Sequence, residues 1–534
     1  MKKTKKVVAA TLATLLIASG CSNKTSETAS KEYNLKDVSF PLKEKVTLNF
    51  MTQSSPLAPK DPNEKLIYQR LEEETGVNIK WKNYTSDVFV EKRNLAMASG
   101  DLPDAILDAA YGDYDLLKLA KDGAIVPVED LIEKYMPNLQ KVLQAAPEYK
   151  AMMTAPDGHI YSFPWIEELG AGKESIHSVD DLPWINVEWL NKLGLEMPKT
   201  TEELKEVLIA FKTQDPNGNG KADEIPMSFI SKPGGEDLAF LFGSFGLGEN
   251  WDHTVVTNDG KVTFTASDEG YKEGIKFINE LYAEGLIDVE AFEQDWNTYI
   301  AKGKDNRYGM YFTWDKANIT GMNDKYDLMP PLAGPDGQIN VARTNGMGFD
   351  RGRMVITSAN KNLELTAKWI DELYDPVQSV QNNWGTYGDD KQQNIFEYDE
   401  AANMLKHLPL EGTAPVELRQ KTNIGGPLAI LDEYYGSVTT KPDDAAWRLG
   451  LLKEVMVPHM KAENIYPRVF FSIEDLDRLT AIETDMFAFV MRKRAEWIQN
   501  GKVEKEWDSY LKELDRLGLQ DWLEIKQSGY DRNR

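Results

Sequence analysis

The sequence predicts an α/β protein built on parallel sheets, and three observations support this fold class. Short apolar strands alternate with amphipathic helices from residue 45 onward. No repeat of fixed length is present, which argues against a solenoid or a propeller. The chain of 534 residues is long enough to bury a large core, and its single cysteine excludes an internal disulfide.

The first residues have the features of a secretory leader. Four lysines precede an apolar run at residues 7–17, which is too short to span a bilayer comfortably, and small residues lead to Cys21. A cysteine directly after the cleavage point resembles a bacterial lipoprotein signal, in which the thiol receives lipid, although Ala18 stands where that consensus usually has leucine. We therefore expect residues 1–20 to be removed and residues 21–44 to form a lipid-anchored flexible tether. The alternative is a plain secreted protein with an incidental cysteine.

The charge of the chain excludes some partners but selects none. The formal net charge is −25, from 61 basic and 86 acidic residues. This argues against binding nucleic acid and against resting on an anionic lipid surface, so contact with the membrane is expected only through the lipid anchor. The 13 tryptophans and 22 tyrosines are more informative, because flat rings in a cleft can bind sugar faces, although most belong in the core.

The first part of the chain predicts a parallel sheet with crossover helices. The predicted elements are a strand at 46–50, a helix that ends at Gly76, a strand at 77–81, a helix at 88–99 and a strand at 104–107. In such sheets the ligand contacts the loops after the carboxyl ends of the strands. The candidate contacts at these ends are Gln53, Ser54, Asp108 and Tyr111.

A second unit begins near Asp181. We expect a strand, a turn at Gly194 and a helix capped by Thr200 or Thr201. Further strands are predicted around 225–230, 308–312 and 347–356, then a helix at 364–374 and an apolar helical stripe at 507–517.

The most specific local motif is DPNGNGKADEIP at residues 215–226, which resembles an EF-hand loop. Its oxygen donors are Asp215, Asn217, Asn219, the backbone carbonyl of Lys221, and Asp223, with Gly220 at the sharp turn. Pro226 replaces the glutamate that usually closes such a loop, so Glu224 must complete the shell. The loop predicts a structural Ca²⁺ site. The alternative is a turn rich in Gly, Asn and Asp that binds nothing.

Seven blocks of the mature chain carry a family resemblance. They are SGDLPD (99–104), DGAIVPVEDLIEKYMPNL (122–139), DGHIYSFPW (157–165), MPKTTEELKEVLIAFK (197–212), GMYFTWD (309–315), YDLMPPLAGPDGQ (326–338) and WDSYLKELDRLGL (507–519). In this order they resemble the extracellular solute-binding proteins (family 1, oligosaccharide-type) that serve ABC importers. The likeness covers nearly the whole mature chain, and the length and the calcium-like loop are more similar to the large lipoprotein subgroup that includes alginate-oligosaccharide-binding proteins.

The resemblance implies a two-lobe periplasmic-binding-protein-like (type II) fold with a hinge and an interlobe ligand cleft. It implies crossings of the chain between the lobes near 163–180, 345–350 and 405–415. The amino-terminal lobe is then expected at 45–165 and 350–410, and the carboxyl-terminal lobe at 166–349 and 411–534. The resemblance further implies a monomer on the outer face of a bacterial membrane, and we expect the bacterium to be Gram-positive. The implied protein closes on an oligosaccharide and delivers it to an ABC permease pair.

The resemblance also implies candidate ligand contacts. Trp314 takes the position of a tryptophan that stacks on sugar in maltodextrin-type relatives, although a core position is the alternative. Trp165 could line the hinge side of the cleft, and Trp384 could be exposed in a loop, with packing as the alternative for both. Arg343 could pair with a uronate carboxylate or form an ordinary surface pair. Glu167 and Glu168 could accept hydrogen bonds from sugar hydroxyls or simply be solvated.

No enzyme motif accounts for the chain. It has no H-E-x-x-H, no G-x-S-x-G and no phosphate-binding G-x-x-x-x-G-K, and its five histidines are scattered. We therefore do not expect an enzyme. Two alternatives remain at this point, a surface glycosidase or lyase that uses paired carboxylates, and an adhesin that holds polysaccharide without delivering it.

Overall fold

The structure is a computed structural model, and it describes residues 39–533 except 233–234, 322, 391–393, 410–414 and 462–464. The leader and Cys21 lie outside the described residues. The strands are β1 (Val46–Ser54), β2 (Val77–Thr85), β3 (Ala105–Leu107), β4 (Phe163–Glu167), β5 (Leu182–Asn186), β6 (Ile225–Ser228), β7 (Thr254–Val256), β8 (Val262–Phe264), β9 (Tyr308–Thr313), β10 (Tyr326–Leu328), β11 (Phe349–Ile356), β12 (Phe396–Asp399), β13 (Met404–His407) and β14 (Leu428–Ile430).

Helices alternate with these strands along the chain. They are α1 (Leu66–Thr75), α2 (Ser86–Ser99), α3 (Asp113–Lys121), α4 (Glu129–Tyr135), α5 (Pro137–Ala145), α6 (Pro147–Met153), α7 (Val187–Leu193), α8 (Thr201–Thr213), α9 (Glu269–Ala283), α10 (Trp296–Lys304), α11 (Leu363–Glu372), α12 (Pro376–Trp384), α13 (Pro415–Thr422), α14 (Asp443–Leu451), α15 (Ile473–Asn500), α16 (Val503–Leu517) and α17 (Leu519–Arg532). Within the described part of the chain, none has both the length and the apolar character needed to cross a bilayer.

The first sheet has six strands in the order β14-β4-β11-β3-β1-β2. β1 runs parallel to β2 and to β3, which confirms the predicted strand-helix-strand pattern. Leu48 and Phe50 of β1 are fully buried, as their alternation predicts. α1 ends at Gly76, whose φ of 71° is left-handed, a conformation that glycine adopts without steric cost.

The second sheet has four strands in the order β10-β5-β9-β6. α8 begins as predicted, because Thr200 accepts a hydrogen bond from the Glu203 amide at 3.1 Å and the Glu203 carboxylate accepts one from the Lys199 amide at 2.7 Å. The sequence reasoning missed α7. The side chain of Asn186 caps this helix by accepting from the Trp189 amide at 3.0 Å.

Three crossing segments leave or enter the first sheet. Residues 168–181 run from β4 to β5, residues 343–348 lead into β11, and residues 431–442 run from β14 to α14, which contacts the second sheet's end through Arg448. The third lies later than expected, because β14 pairs in parallel with β4 and the chain is still in the first sheet at residue 430. The expected crossing at 405–415 and the lobe boundary at 410 are therefore wrong; residues 396–407 form the hairpin β12–β13 and residues 415–422 form helix α13 before the chain rejoins the first sheet.

Candidate functional site

The carboxyl ends of β4 and β9 place predicted residues beside the crossing segments. Glu167 ends β4 and is 5% exposed. The His177 Nε2 lies 3.2 Å from one of its carboxylate oxygens, and the Tyr435 hydroxyl donates to the other at 3.4 Å. The His177 ring centroid is 5.9 Å from that of Trp314, which follows β9, and Tyr435 packs in the same apolar cluster as Trp314. We call Glu167, His177, Trp314 and Tyr435 the interlobe cluster.

Arg448 of α14 supports the interlobe cluster from within the protein. Its guanidinium carbon lies 3.5 Å from the Trp314 ring centroid, and the side chain is 1% exposed. It donates hydrogen bonds to the backbone carbonyls of Trp314 at 3.0 Å and of Ile176 at 2.7 Å, and also to that of Val179. Burial lowers the pKa of Arg448 to about 9, which leaves it charged at neutral pH. One face of the half-buried indole is thus covered by a cation, and a ligand has only the other face to contact.

Other predicted residues meet around Arg353, which sequence reasoning missed. Gln53 donates from Nε2 to the Asp108 carbonyl at 2.9 Å, and the Arg353 Nη1 donates to the Asp108 carboxylate at 2.6 Å. The Arg353 guanidinium also lies 5.8 Å from the Trp165 ring centroid and pairs with Asp350 at 2.8 Å. Burial raises the pKa of Asp108, and the charge of Arg353 opposes this rise. Only the pairing of β11 with β3 brings Arg353 here, so no local signal indicates it.

Trp165 connects the Arg353 group to the interlobe cluster. Its side chain is half-buried and shares a face of β4 with that of Glu167, because residues two apart on a strand point to the same side. The indole nitrogen donates to the Asn383 side chain at 3.3 Å. The Arg353 group and the interlobe cluster therefore both involve β4, the first through Trp165 and the second through Glu167.

Three predicted contacts are buried. Tyr111 is 4% exposed, and its ring lies in an apolar core under the guanidinium of Arg93 at 4.0 Å. Trp384 ends α12 instead of lying in a loop, and its indole is 9% exposed beneath Arg419 at 4.4 Å. It packs in one apolar cluster with Trp165, which is the packed position that the sequence left open as the alternative to exposure.

Arg343 is the third of these. It is 5% exposed and lines a cavity with Glu168, the residue after β4. Its Nη2 donates to the Gly172 carbonyl at 3.0 Å. It is therefore not part of an ordinary surface ion pair. Glu168 is also occupied, since it accepts hydrogen bonds from the Tyr149 hydroxyl at 2.6 Å and from the Asp432 amide at 3.0 Å.

The loop at residues 215–224 folds its polar groups inward. Asp215 accepts from the backbone amides of Asn219 and Gly220 at 3.1 and 3.0 Å. The side-chain amides of Asn217 and Asn219 donate to Asp223 at 2.9 and 3.0 Å, and these bonds lower the pKa of Asp223.

Glu224 is the loop residue whose environment fits a cation best. One of its carboxylate oxygens is buried without a hydrogen-bond partner, and burial raises its pKa, as do the charges of Asp215 and Asp223. Within the described ranges no group of three or more His, Cys, Asp or Glu side chains is placed to hold a metal. Oxygens of the asparagine side chains and of the backbone, including the Lys221 carbonyl, would therefore have to complete the coordination shell of a bound cation.

Comparison with known proteins identifies close relatives. A family model described as bacterial extracellular solute-binding protein matches residues 59–379. The chain is 67% identical over 519 residues, which are 97% of this chain and 96% of the relative, to the fructooligosaccharide ABC transporter substrate-binding protein FusA of Streptococcus pneumoniae serotype 4.

Solved structures agree with this similarity. The structure of S. pneumoniae FusA in complex with kestose matches with a TM-score of 0.87 and 69% identity, covering 91% of this chain and 99% of that one. A FusA EF-hand mutant in complex with fructo-nystose matches with the same TM-score at 68% identity, with coverage of 91% and 99%.

Proposed function

The chain belongs to the bacterial extracellular solute-binding protein family, and we propose that it captures fructooligosaccharides for an ABC permease pair. The observation that carries this proposal is its 67% identity, over 97% of its length, to a substrate-binding protein for these sugars. The relatives are binding proteins and not enzymes, so the glycosidase and lyase alternatives are set aside.

The proposed mechanism is closure of the two lobes on the sugar. Trp314 presents one indole face from the second sheet, and Trp165 and Glu167 present an aromatic ring and a carboxylate from the first. A sugar can contact both sets only when the lobes approach each other, so its binding favours the closed form. The permease pair then recognises that form. No bond is made or broken in this cycle.

The polar groups of the site favour a neutral ligand. Hydroxyl groups both donate and accept, and the first sheet offers carboxylates at Asp108 and Glu167 and a guanidinium at Arg353 that is already paired with two aspartates. Arg343, the expected partner of a uronate, lines a cavity that Trp314 does not line. A fructooligosaccharide, which carries no charge, fits this arrangement better than an acidic oligosaccharide does.

The oxygen donors of the 215–224 loop would hold a calcium ion with a structural role. The buried, unpartnered oxygen of Glu224 supports this, and Asp215, Asp223 and the two asparagines supply further donors. The loop comes directly before β6, which runs parallel to β9, so it lies at the end of the second sheet opposite the end that carries Trp314. The ion would therefore stiffen the second lobe and would not contact the sugar.

We further propose that Cys21 is lipidated and holds the protein on the outer face of a Gram-positive cell membrane. Replacing Cys21 with serine should release the protein into the culture medium, with its sugar affinity unchanged. Retention of that variant on the membrane would contradict the anchor.

Isothermal titration of the purified domain tests the sugar proposal. Kestose and nystose should bind and should raise the melting temperature without forming any product, whereas maltotriose, a chain of pyranose units, should not bind. Product formation would indicate an enzyme. Loss of fructooligosaccharide uptake by cells that lack the protein would separate a transport receptor from an adhesin, which would leave uptake intact.

A further inference from the structure

A cavity of about 440 Å³ lies among the segments that join the lobes, and no residue of the interlobe cluster lines it. All three crossing segments contribute to its wall. The first contributes residues 170–172, the second contributes Gly346 and Met347, and the third contributes Leu431. Tyr149 of α6 closes the side of the first lobe. We call this space the hinge cavity. Because its walls are the segments that join the lobes, lobe movement must change its shape.

Arg343 is a buried cation in the wall of the hinge cavity that lacks a counter-ion. Its side chain is 5% exposed, and one of its nitrogens donates to the Gly172 carbonyl. Its Nε is buried without any hydrogen-bond partner. Across the part of the chain that the structure describes, no carboxylate forms an ion pair with it. Burying an unpaired charge is costly, so such groups are normally paired with an anion.

The rest of the wall limits which anion can enter. Glu168 accepts hydrogen bonds from the Tyr149 hydroxyl and the Asp432 amide, and within the described residues it forms no ion pair with the guanidinium. Glu148 and Glu433 are exposed at the rim, and together with the net charge of −25 they disfavour a doubly charged anion. Much of the remaining wall is apolar, from Ala145, Ala146, Met347, Leu431 and Ile465.

We propose that the hinge cavity binds a small organic monocarboxylate, with its carboxylate on the guanidinium of Arg343 and its alkyl part against the apolar wall. A guanidinium and a carboxylate match in shape and can form two parallel hydrogen bonds. A ligand held between the crossing segments has different contacts in the open and closed forms. Monocarboxylate and sugar therefore change each other's affinity, by the same factor.

Butyrate, inorganic phosphate and n-butanol are the probes that test this proposal on the unmodified protein. Butyrate should bind in ligand-observed NMR and raise the melting temperature at millimolar concentration. Phosphate lacks the alkyl part and carries more charge, and butanol lacks the carboxylate, so neither should bind. Binding of butanol as strong as that of butyrate, or of phosphate in its place, would overturn the proposal.

Two variants locate the site. Arg343→Gln should abolish butyrate binding, whereas Arg516→Gln, which changes an exposed arginine on α16, should leave it unchanged. If Arg343→Gln does not fold, Met347→Trp, which fills the apolar wall and leaves the guanidinium in place, should abolish binding instead. Butyrate binding that survives in a folded variant of either kind would place the carboxylate elsewhere and refute the assignment.

The coupling is measured by titrating kestose with and without saturating butyrate. The affinity for kestose should change by at least about fivefold, the lower end of typical coupling between two sites. An unchanged affinity would refute the coupling. This arm depends on the proposed function, but failure of kestose to bind at all would refute that function and leave the butyrate measurement intact.

Discussion

Removing the indole of Trp314 should weaken sugar binding by about 5- to 60-fold while the folded protein persists. Arg448 covers one face of the ring at 3.5 Å, so a sugar can bury only the other face. One face of an indole, roughly 50–100 Å² of contact between ring and sugar at about 25 cal/mol per Å², contributes about 1–2.5 kcal/mol. Each 1.4 kcal/mol or so corresponds to a tenfold change in affinity.

The same substitution should also lower stability slightly. Arg448 would lose its contact with the ring, which contributes about 0.5–2 kcal/mol in comparable pairs, but would keep its hydrogen bonds to three carbonyls. Urea unfolding of Trp314→Ala measures this loss and shows what fraction of the protein is folded in the binding assay.

Isothermal titration with kestose is the assay, and Trp251→Ala is the matched control. Trp251 is 44% exposed and lies outside the interlobe cluster, so its loss removes an exposed indole without touching the site. The control should bind kestose as the unmodified protein does. Equal affinity of Trp314→Ala and the unmodified protein would remove Trp314 from the site, and an equal loss in both variants would show that the effect is not local.

Three further substitutions test the loop, a buried histidine and a helix cap. Asp215→Ala should lower the melting temperature in calcium but not in chelator, and an unmodified protein that is insensitive to chelator would refute the ion. Burial, with the charge of Arg419, lowers the pKa of His407 from its ordinary 6.5 to about 3, so unfolding takes up a proton below pH 6.5 and stability falls as the pH falls. At pH 4.5 this loss amounts to about 2–3 kcal/mol, which His407→Gln should abolish if unfolding is followed by urea titration at pH 7 and 4.5. Thr200→Ala should cost about 1 kcal/mol through loss of the α8 cap, whereas Thr213→Ala near its last turn should cost less.

Local signals in the sequence predicted most of the elements that frame the site. The end of α1 at Gly76 and the start of α8 at Thr200 depend on residues within a few positions, so the sequence alone indicates both helix boundaries. The prediction failed where a segment joins a distant one. β14 pairs with β4 more than 260 residues away in sequence, and its three residues carry no signal of that partner.

The predicted site residues divide in the same way. Gln53 and Asp108 lie together, because the ends of parallel strands meet at one edge of a sheet, and Arg353 connects Asp108 with Trp165. Tyr111 and Trp384 are buried because distant segments pack over their rings, and residue type does not show which segment does so. The roles of Trp314 and of the calcium loop stay predictions that the experiments above test.

By itself the sequence determined the α/β class, the family and the oxygen-rich loop, since each depends on residues close together in the chain or on blocks in a set order. Tertiary structure alone decided that Arg448 lies beneath Trp314, that Arg353 pairs with Asp108, and that Arg343 lines the hinge cavity. The physical reason is that burial and ion pairing depend on which surfaces meet in space, and these contacts join residues more than a hundred positions apart.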